Sequence, residues 1–301
     1  MQGSPESEDT ILDELCLTRS QARSVDRYAQ KVLGLPTIVL MENAGINAAG
    51  AVVDLLRREF VVDEESARVA VLCGGGSNGG DGYVVARQLM GFGLRPRVYS
   101  THDPEGLKGD AAVNAAAWMR LGEAEGGLAS AGDHAEQGTG LAEATRASGV
   151  RGGRVMRIDD PVGLAEAAAE WRGCHVLVDA LLGTGYGAGR GPLRESMAAV
   201  VEAVNRLTEE AGEGTDAGGG GGFGGHVVSL DVPSGLDADT GEPGRGLAVR
   251  ADVTVSFVAS KAGYAAAGAG AYLGRVVVAD IGVPESAVRS ALAWDKQRQS
   301  G

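Results

Sequence analysis

Five polar side chains stand where this sequence otherwise places apolar strands or glycine. Asp179 closes the apolar part of HVLVDALLG, and Asp231 does the same in HVVSLDVPSG, with Ser234 three residues further on. Asn78 and Asp81 interrupt the glycine-rich stretch GGGSNGGDG from Gly74 to Gly82. A carboxylate at the end of a buried strand has to be hydrogen-bonded, paired or metal-bound to offset its desolvation. For Asp179 and Asp231 the capping of a nearby loop's amides therefore stays open beside a role in a site. Asn78, Asp179 and Ser234 together offer hard oxygen donors and one negative charge. That set suits a monovalent cation better than zinc, since no Cys or His converges with it. Asp231 is left as an acid/base candidate. Asp81 could equally be the N-cap of a following helix.

The elements around these residues alternate. Thr18-Arg19-Ser20-Gln21 is a capping box that opens a helix through Lys31, and a second helix is expected from about Ile38 to Arg58. ARVAVLC, RPRVYS, VMRI, CHVLVDALLG, HVVSLDVPSG, ADVTVSF and GRVVVADIG then read as strands, about seven in all, with helix-length segments between several of them. Such alternation predicts an α/β fold, with a parallel or mostly parallel sheet and helices on both faces. Ligands of such sheets bind beyond the carboxyl ends of the strands. Three of the strands run there into polar, glycine-rich loops: Gly74 to Gly82, Gly183 to Gly191, and Asp231 to Gly235. If those strands are neighbours, the loops meet in one pocket.

The rest of the chain narrows the function classes. The 301 residues carry 27 Lys and Arg against 40 Asp and Glu, a net charge of −13, which argues against nucleic acid or an acidic membrane as partner. Lysine occurs only at positions 31, 108, 261 and 296, so any lysine near a site merits attention. Cys16, Cys73 and Cys174 are too few and too scattered for a disulfide framework, and the last two are expected to be buried thiols. The acidic N-terminus lacks the apolar core of a signal peptide, and no stretch reads as a membrane span; a cytoplasmic protein is expected. Residues 1–17 read as a flexible acidic start, 18–284 as one domain with insertions near 122–152 and 209–225, and 285–301 as a tail. Gly74-x-Gly76-x-x-Gly79, with Asp103 beyond the next strand, matches a dinucleotide fingerprint. Alone, in a chain with 49 glycines, that match is weak evidence for an NAD-dependent oxidoreductase.

Taken in order, Met41-Glu42-Asn43-Ala44-Gly45, the SNGGDG loop, DALLGTG and LDVPSGLDADTG resemble the YjeF N-terminal domain family, over roughly residues 18–284. The resemblance implies a Rossmann-like three-layer sandwich and epimerase activity that interconverts the R and S forms of hydrated NADH and NADPH, without net redox change. It implies that Ser77, Asn78, Gly79, Gly80 and Asp81 contact the hydrated nucleotide. It further implies that Gly183, Thr184, Gly185, Tyr186, Gly187, Ala188 and Gly189 hold its phosphates through backbone amides, and that Asp231 meets the nicotinamide end. One K+ per subunit would lie on Asn78, Asp179 and Ser234. Lys108 is expected as the catalytic partner of Asp231. Ser77 departs from the family's usual Asn. A homodimer, and a separate NAD(P)H-hydrate dehydratase as the companion activity, are also implied. The main rival from another class, a non-catalytic binding module, would be expected to have lost these polar groups.

Overall fold

The computed structural model describes residues 15–64, 66–131, 153–187, 191–213 and 223–299. The apolar runs form seven parallel strands: β2 (Val69–Cys73), β3 (Arg97–Ser100), β4 (Val155–Arg157), β5 (Val176–Ala180), β6 (His226–Leu230), β7 (Val253–Phe257) and β9 (Arg275–Ala279). Their order is β4-β3-β2-β5-β6-β7-β9. The chain therefore builds outward in one direction from β2 and in the other from β5, so the β2/β5 boundary is the topological switch point where ligands of open sheets bind. Every residue of β2 and β5 is buried, as expected of strands covered on both faces.

Alternate residues of these strands feed two cores. On one face Val69, Val71, Val176 and Val178 pack with α2 (Thr37–Glu59), α3 (Ser77–Gly91) and α4 (Gly109–Ala131). On the other, Ala70, Leu72 and Leu177 pack with α5 (Pro161–Trp171) and α6 (Glu195–Glu213). The capping box opens α1 (Arg19–Lys31) as expected, with Thr18 Oγ1 accepting the Gln21 amide at 3.2 Å and Gln21 Oε1 accepting the Thr18 amide at 2.8 Å. Asp160 caps α5, accepting the Val162 and Gly163 amides at 2.9 and 3.0 Å. A third cluster joins Val25 and Ala29 of α1 to Val288 and Ala291 of α8 (Glu285–Gln299). A short helix, α7 (Gly270–Leu273), precedes β9.

The MENAG motif turns out to be largely scaffolding. Glu42 accepts from Arg87 and from Gln88 on α3, the latter at 2.5 Å, while Asn43 Nδ2 donates to the Ile281 carbonyl at 3.0 Å beyond β9. A Cβ on Gly45 would lie 2.3 Å from Val84 Cγ1, so the missing side chain lets α2 and α3 cross closely.

Some boundaries differ from the sequence expectation. Helix α4 runs on to Ala131 and α6 to Glu213, so each extends into the stretch read as an insertion; 132–152 and 214–222 lie outside the described residues. Of the N-terminal stretch, only 15–17 are described, and Cys16–Leu17 form a strand, β1. It pairs in parallel with β8 (Ser260–Lys261) in a two-stranded sheet that the sequence pattern did not signal. Contrary to expectation, α2 is long and apolar enough to span a bilayer, at 23 residues and a hydropathy of 1.3. Half of that window is buried inside the protein, as in a core helix. Cys73 and Cys174 are buried, and desolvation pushes both thiols up, Cys174 to about 12.

Candidate active site

The loops after β2, β5 and β6 converge as expected, around a cavity of about 780 Å³ at the switch point. Ser77, Asn78, Asp81, Gly183, Thr184, Gly185, Tyr186 and Asp231 line it, joined by Ala22, Arg23 and Asp26 of α1 and by Lys261. Gly79, Gly80 and Gly187 are not among the lining residues. Gly79 and Gly80 are turned into packing, where a Cβ would meet the Gly74 carbonyl oxygen at 1.9 Å and Met41 at 2.8 Å. Gly187 makes room for the Arg19 guanidinium. Ala188 and Gly189 lie outside the described residues.

Asp81 is not a cap. Helix α3 begins at Ser77, its N-cap is Gly76, and no side chain caps it; Gly75, Gly76, Ser77 and Asn78 at this end all line the cavity. An uncapped N-terminus of a 15-residue helix is a ready anion site. The role expected of the second loop is narrower than thought, because the Thr184 amide already donates to Asp231 Oδ2 at 3.2 Å and that of Tyr186 to the Gly183 carbonyl at 3.0 Å.

Asp179 is fully buried and accepts four hydrogen bonds. Its Oδ1 accepts from Ser234 Oγ at 2.6 Å and the Leu181 amide at 3.2 Å, and its Oδ2 from the Ser234 amide at 2.9 Å and Ser229 Oγ at 2.8 Å. Loop capping is thus part of its function. Desolvation nevertheless pushes its carboxyl up, with those four hydrogen bonds opposing, and no described cation pairs with it. Beside it, Asn78 Nδ2 donates to the Leu182 carbonyl at 2.9 Å, and the Leu182 amide donates to Ser234 Oγ at 2.8 Å. Asn78 Oδ1 is buried without a hydrogen-bond partner among the described residues. An orphaned acceptor next to an uncompensated buried carboxylate is chemistry that a small cation would satisfy.

Lys108 is exposed just before α4 and does not line the cavity, so it is not the partner of Asp231. That partner is Lys261, whose Nζ lies 2.8 Å from Asp231 Oδ1. Asp231 itself sits just past β6 with φ of 64°, and its carbonyl accepts from the Tyr264 hydroxyl. The scarcity of lysine was the signal that could have picked out Lys261; nothing in the local pattern did so.

Two further carboxyls face the same space. Burial, then the negative charges of Asp231 and Asp26, push Asp81 well above the usual carboxylate range. Asp26, open to the cavity but ringed by protein, is pushed up to about 6 by desolvation and by Asp231, with Lys261 and Arg27 opposing. A carboxyl raised from 3.8 to about 6 contributes stability that is complete below 3.8 and is lost as pH rises through about 6. Asp26→Asn should escape that loss. Thermal melts of the two proteins should diverge in favour of the variant between about pH 4 and about pH 7, and parallel melts across that range would contradict it.

The profile of the family described as YjeF-related protein N-terminus matches residues 37–263. An NAD(P)H-hydrate epimerase of Rhodopirellula baltica is 32% identical, over 91% of this chain and 86% of its own. One from Pirellula staleyi is 34% identical, over 89% of this chain and 92% of its own. A bifunctional NAD(P)H-hydrate repair enzyme of Moorella thermoacetica is 30% identical over 90% of this chain, which spans only 41% of that longer relative. The fold is shared with a solved yeast structure, at 20% identity and a TM-score of 0.61, covering 92% of this chain and 93% of that one. With three quarters of its length inside the matched profile and its sheet, switch-point cavity and motif loops in place, the chain belongs to the YjeF-related protein N-terminus family.

Proposed function

We infer that this chain is an NAD(P)H-hydrate epimerase, an isomerase that equilibrates the R and S forms of hydrated NADH and NADPH. The observation that carries the reading is one cavity of nucleotide size, about 780 Å³, that joins the N-terminus of α3 to the Asp231 carboxylate. The phosphates are assigned to the α3 N-terminus, with Arg23 and Arg194 on the cavity wall, and the hydrated ring to Asp231. Epimerisation at C6 needs a proton delivered to the departing hydroxyl oxygen and one removed from the returning water, or the same transfers in ring opening and closure. Asp81, whose carboxyl burial and the neighbouring Asp231 push well above the usual carboxylate range, is suited to donate. Asp231, paired with an ammonium, is suited to accept a proton and to stabilise the electron-poor ring. Neither transfer requires a hydride acceptor, which separates this reading from a dehydrogenase.

The reading includes K+ held by Asn78 Oδ1, Asp179 and Ser234, where it would supply the positive charge that the buried carboxylate lacks and fix the loops after β2, β5 and β6. Asp179→Asn keeps the size of the side chain and removes the charge, at the cost of setting its amide nitrogen against two of the four donors. The parent should gain roughly tenfold or more in rate when K+ replaces a large organic cation, in line with the weight of positioning effects. The variant should gain less than about twofold, and an equal response in both proteins would contradict the assignment.

Two further parts of the reading concern partners. The activity complements an NAD(P)H-hydrate dehydratase that consumes one epimer. The exposed apolar residues Val32, Leu33, Val39 and Ile46 on and beside α1 and α2 support a homodimer through those helices. The function is tested with racemic hydrated NADH and an excess of such a dehydratase. With this protein present the whole pool should be consumed; consumption that stops at half would refute the reading.

A further inference from the structure

Of the four lysines, only Lys261 is buried, with 1% of its side chain exposed, and it stands in the wall of the substrate cavity. Four acceptors surround its ammonium: Ser256 Oγ at 2.9 Å, the Phe257 carbonyl at 3.0 Å, the Ala259 carbonyl at 3.1 Å and Asp231 Oδ1 at 2.8 Å. Three of these are fixed parts of the strand β7 and the turn that follows it, so they hold the charge in place. The fourth is the carboxylate assigned to the reacting ring. With Oδ2 on the Thr184 amide, both oxygens of Asp231 have a set direction.

The backbone around the pair is strained at both ends. Asp231 has φ of 64° and Val258 has φ of 70°, a conformation that a β-branched residue rarely adopts. Val258 lies in the turn that swings the chain from β7 to β8, where Lys261 pairs with Leu17 of β1. Buried ion pairs seldom stabilise a protein more than apolar residues of the same size. A strained turn, a dedicated two-stranded sheet and a desolvated charge are thus maintained beside a reaction site without a clear gain in stability, which is where backbone strain marks function.

We propose that Lys261 is the positioning residue of the reaction: its ammonium fixes the orientation of Asp231 at the hydrated ring. The role rests on the epimerase reading above and assigns to Lys261 the place that Lys108 was expected to fill. Lys261 acts through Asp231, so its removal should lower turnover far more than it weakens substrate binding.

The test uses Lys261→Met, which fills the space without charge, and Lys261→Ala, which leaves a gap opening on the cavity. Both should lose about 10- to 100-fold in kcat with KM within about threefold of the parent. Methylammonium should restore part of the lost kcat to the Ala variant and none to the Met variant, a response that a merely structural lysine would not give. In the pair Asp231→Asn and Asp231→Asn/Lys261→Met, the second change should cost no further rate, because the two residues act as one unit. That neutral pair also keeps the question answerable if the single lysine variants do not fold. Parental kcat in Lys261→Met, a loss confined to KM, absence of rescue in a folded Ala variant, or independent multiplicative losses in the double variant would each overturn the proposal. A parent protein unable to equilibrate the epimers would instead refute the epimerase reading, and the parent is therefore assayed first.

Discussion

Asp231→Asn should slow epimer equilibration by about 10²- to 10⁴-fold, the range expected when a positioned acid/base group is lost. The amide has the shape of the carboxylate, and the Lys261 ammonium keeps its three other acceptors, Ser256, Phe257 and Ala259. The variant should therefore fold, and its KM should stay within a few-fold of the parent. Asp231→Ala is a poorer probe, since it removes an acceptor of the buried ammonium along with the charge and leaves the space beside it unfilled. Steady-state rates with a single epimer as substrate separate the cases. An Asn variant within about threefold of the parental kcat would remove Asp231 from the chemistry.

The second large effect is expected far from any charged group. Gly79→Ala would set a Cβ 1.9 Å from the Gly74 carbonyl oxygen, and Gly74→Ala would set one 1.8 Å from that of Leu181. Neither obstacle is the end of a flexible side chain. Each is backbone, in the loops after β2 and β5 that form the switch point. To relieve the contact, the N-terminus of α3 must shift by about 1 Å or more, carrying Asn78 and Asp81 with it. A shift of that size costs roughly 10²-fold in rate, and the overpacking itself about 1–3 kcal/mol. Both quantities are open to measurement, by kinetics and by thermal melting. A Gly79→Ala protein with parental activity and melting temperature would show that the loops do not approach as closely as described.

These glycines also show what was legible in the sequence. The Gly74-x-Gly76-x-x-Gly79 pattern suggested close approach to a phosphate. Two of its members serve close backbone contacts, Gly74 with Leu181 of the next loop and Gly79 with Gly74 of its own, and of the three Gly76 alone has open space around its Cβ position. Most of the seven main strands could be read because their apolar runs are strong and bounded by glycine or proline. The carboxyl-end placement of Asp179, Asp231 and Ser234 followed from that reading. Helix α3 was placed too late, since Gly79, Gly80 and Gly82 have low helix propensity and made its first turns look like loop. Tertiary packing against Met41, Ala180 and Cys73 overrides that preference. Lys261 was missed because β8 is two residues long and carries no periodicity. Asp26 was missed because one carboxyl on a polar helix face is unremarkable until α1 is seen to wall the cavity. In both cases the decisive information is non-local: β8 meets Asp231 across a turn, and α1 comes from the other end of the chain.

The central claim is that the Asp231 cavity inverts C6 of the hydrated ring without redox change. The direct measurement starts from one purified epimer of hydrated NADH, with this protein in K+ buffer and no other enzyme or nucleotide. The two epimers are resolved by chromatography over time while absorbance is followed for NADH. The expected result is relaxation to a mixture of R and S forms at constant total hydrate, fast with the parent and slowed by at least about 10²-fold with Asp231→Asn. A single epimer that persists at its uncatalysed rate, or loss of hydrate with the appearance of reduced or oxidised nucleotide, would contradict the account.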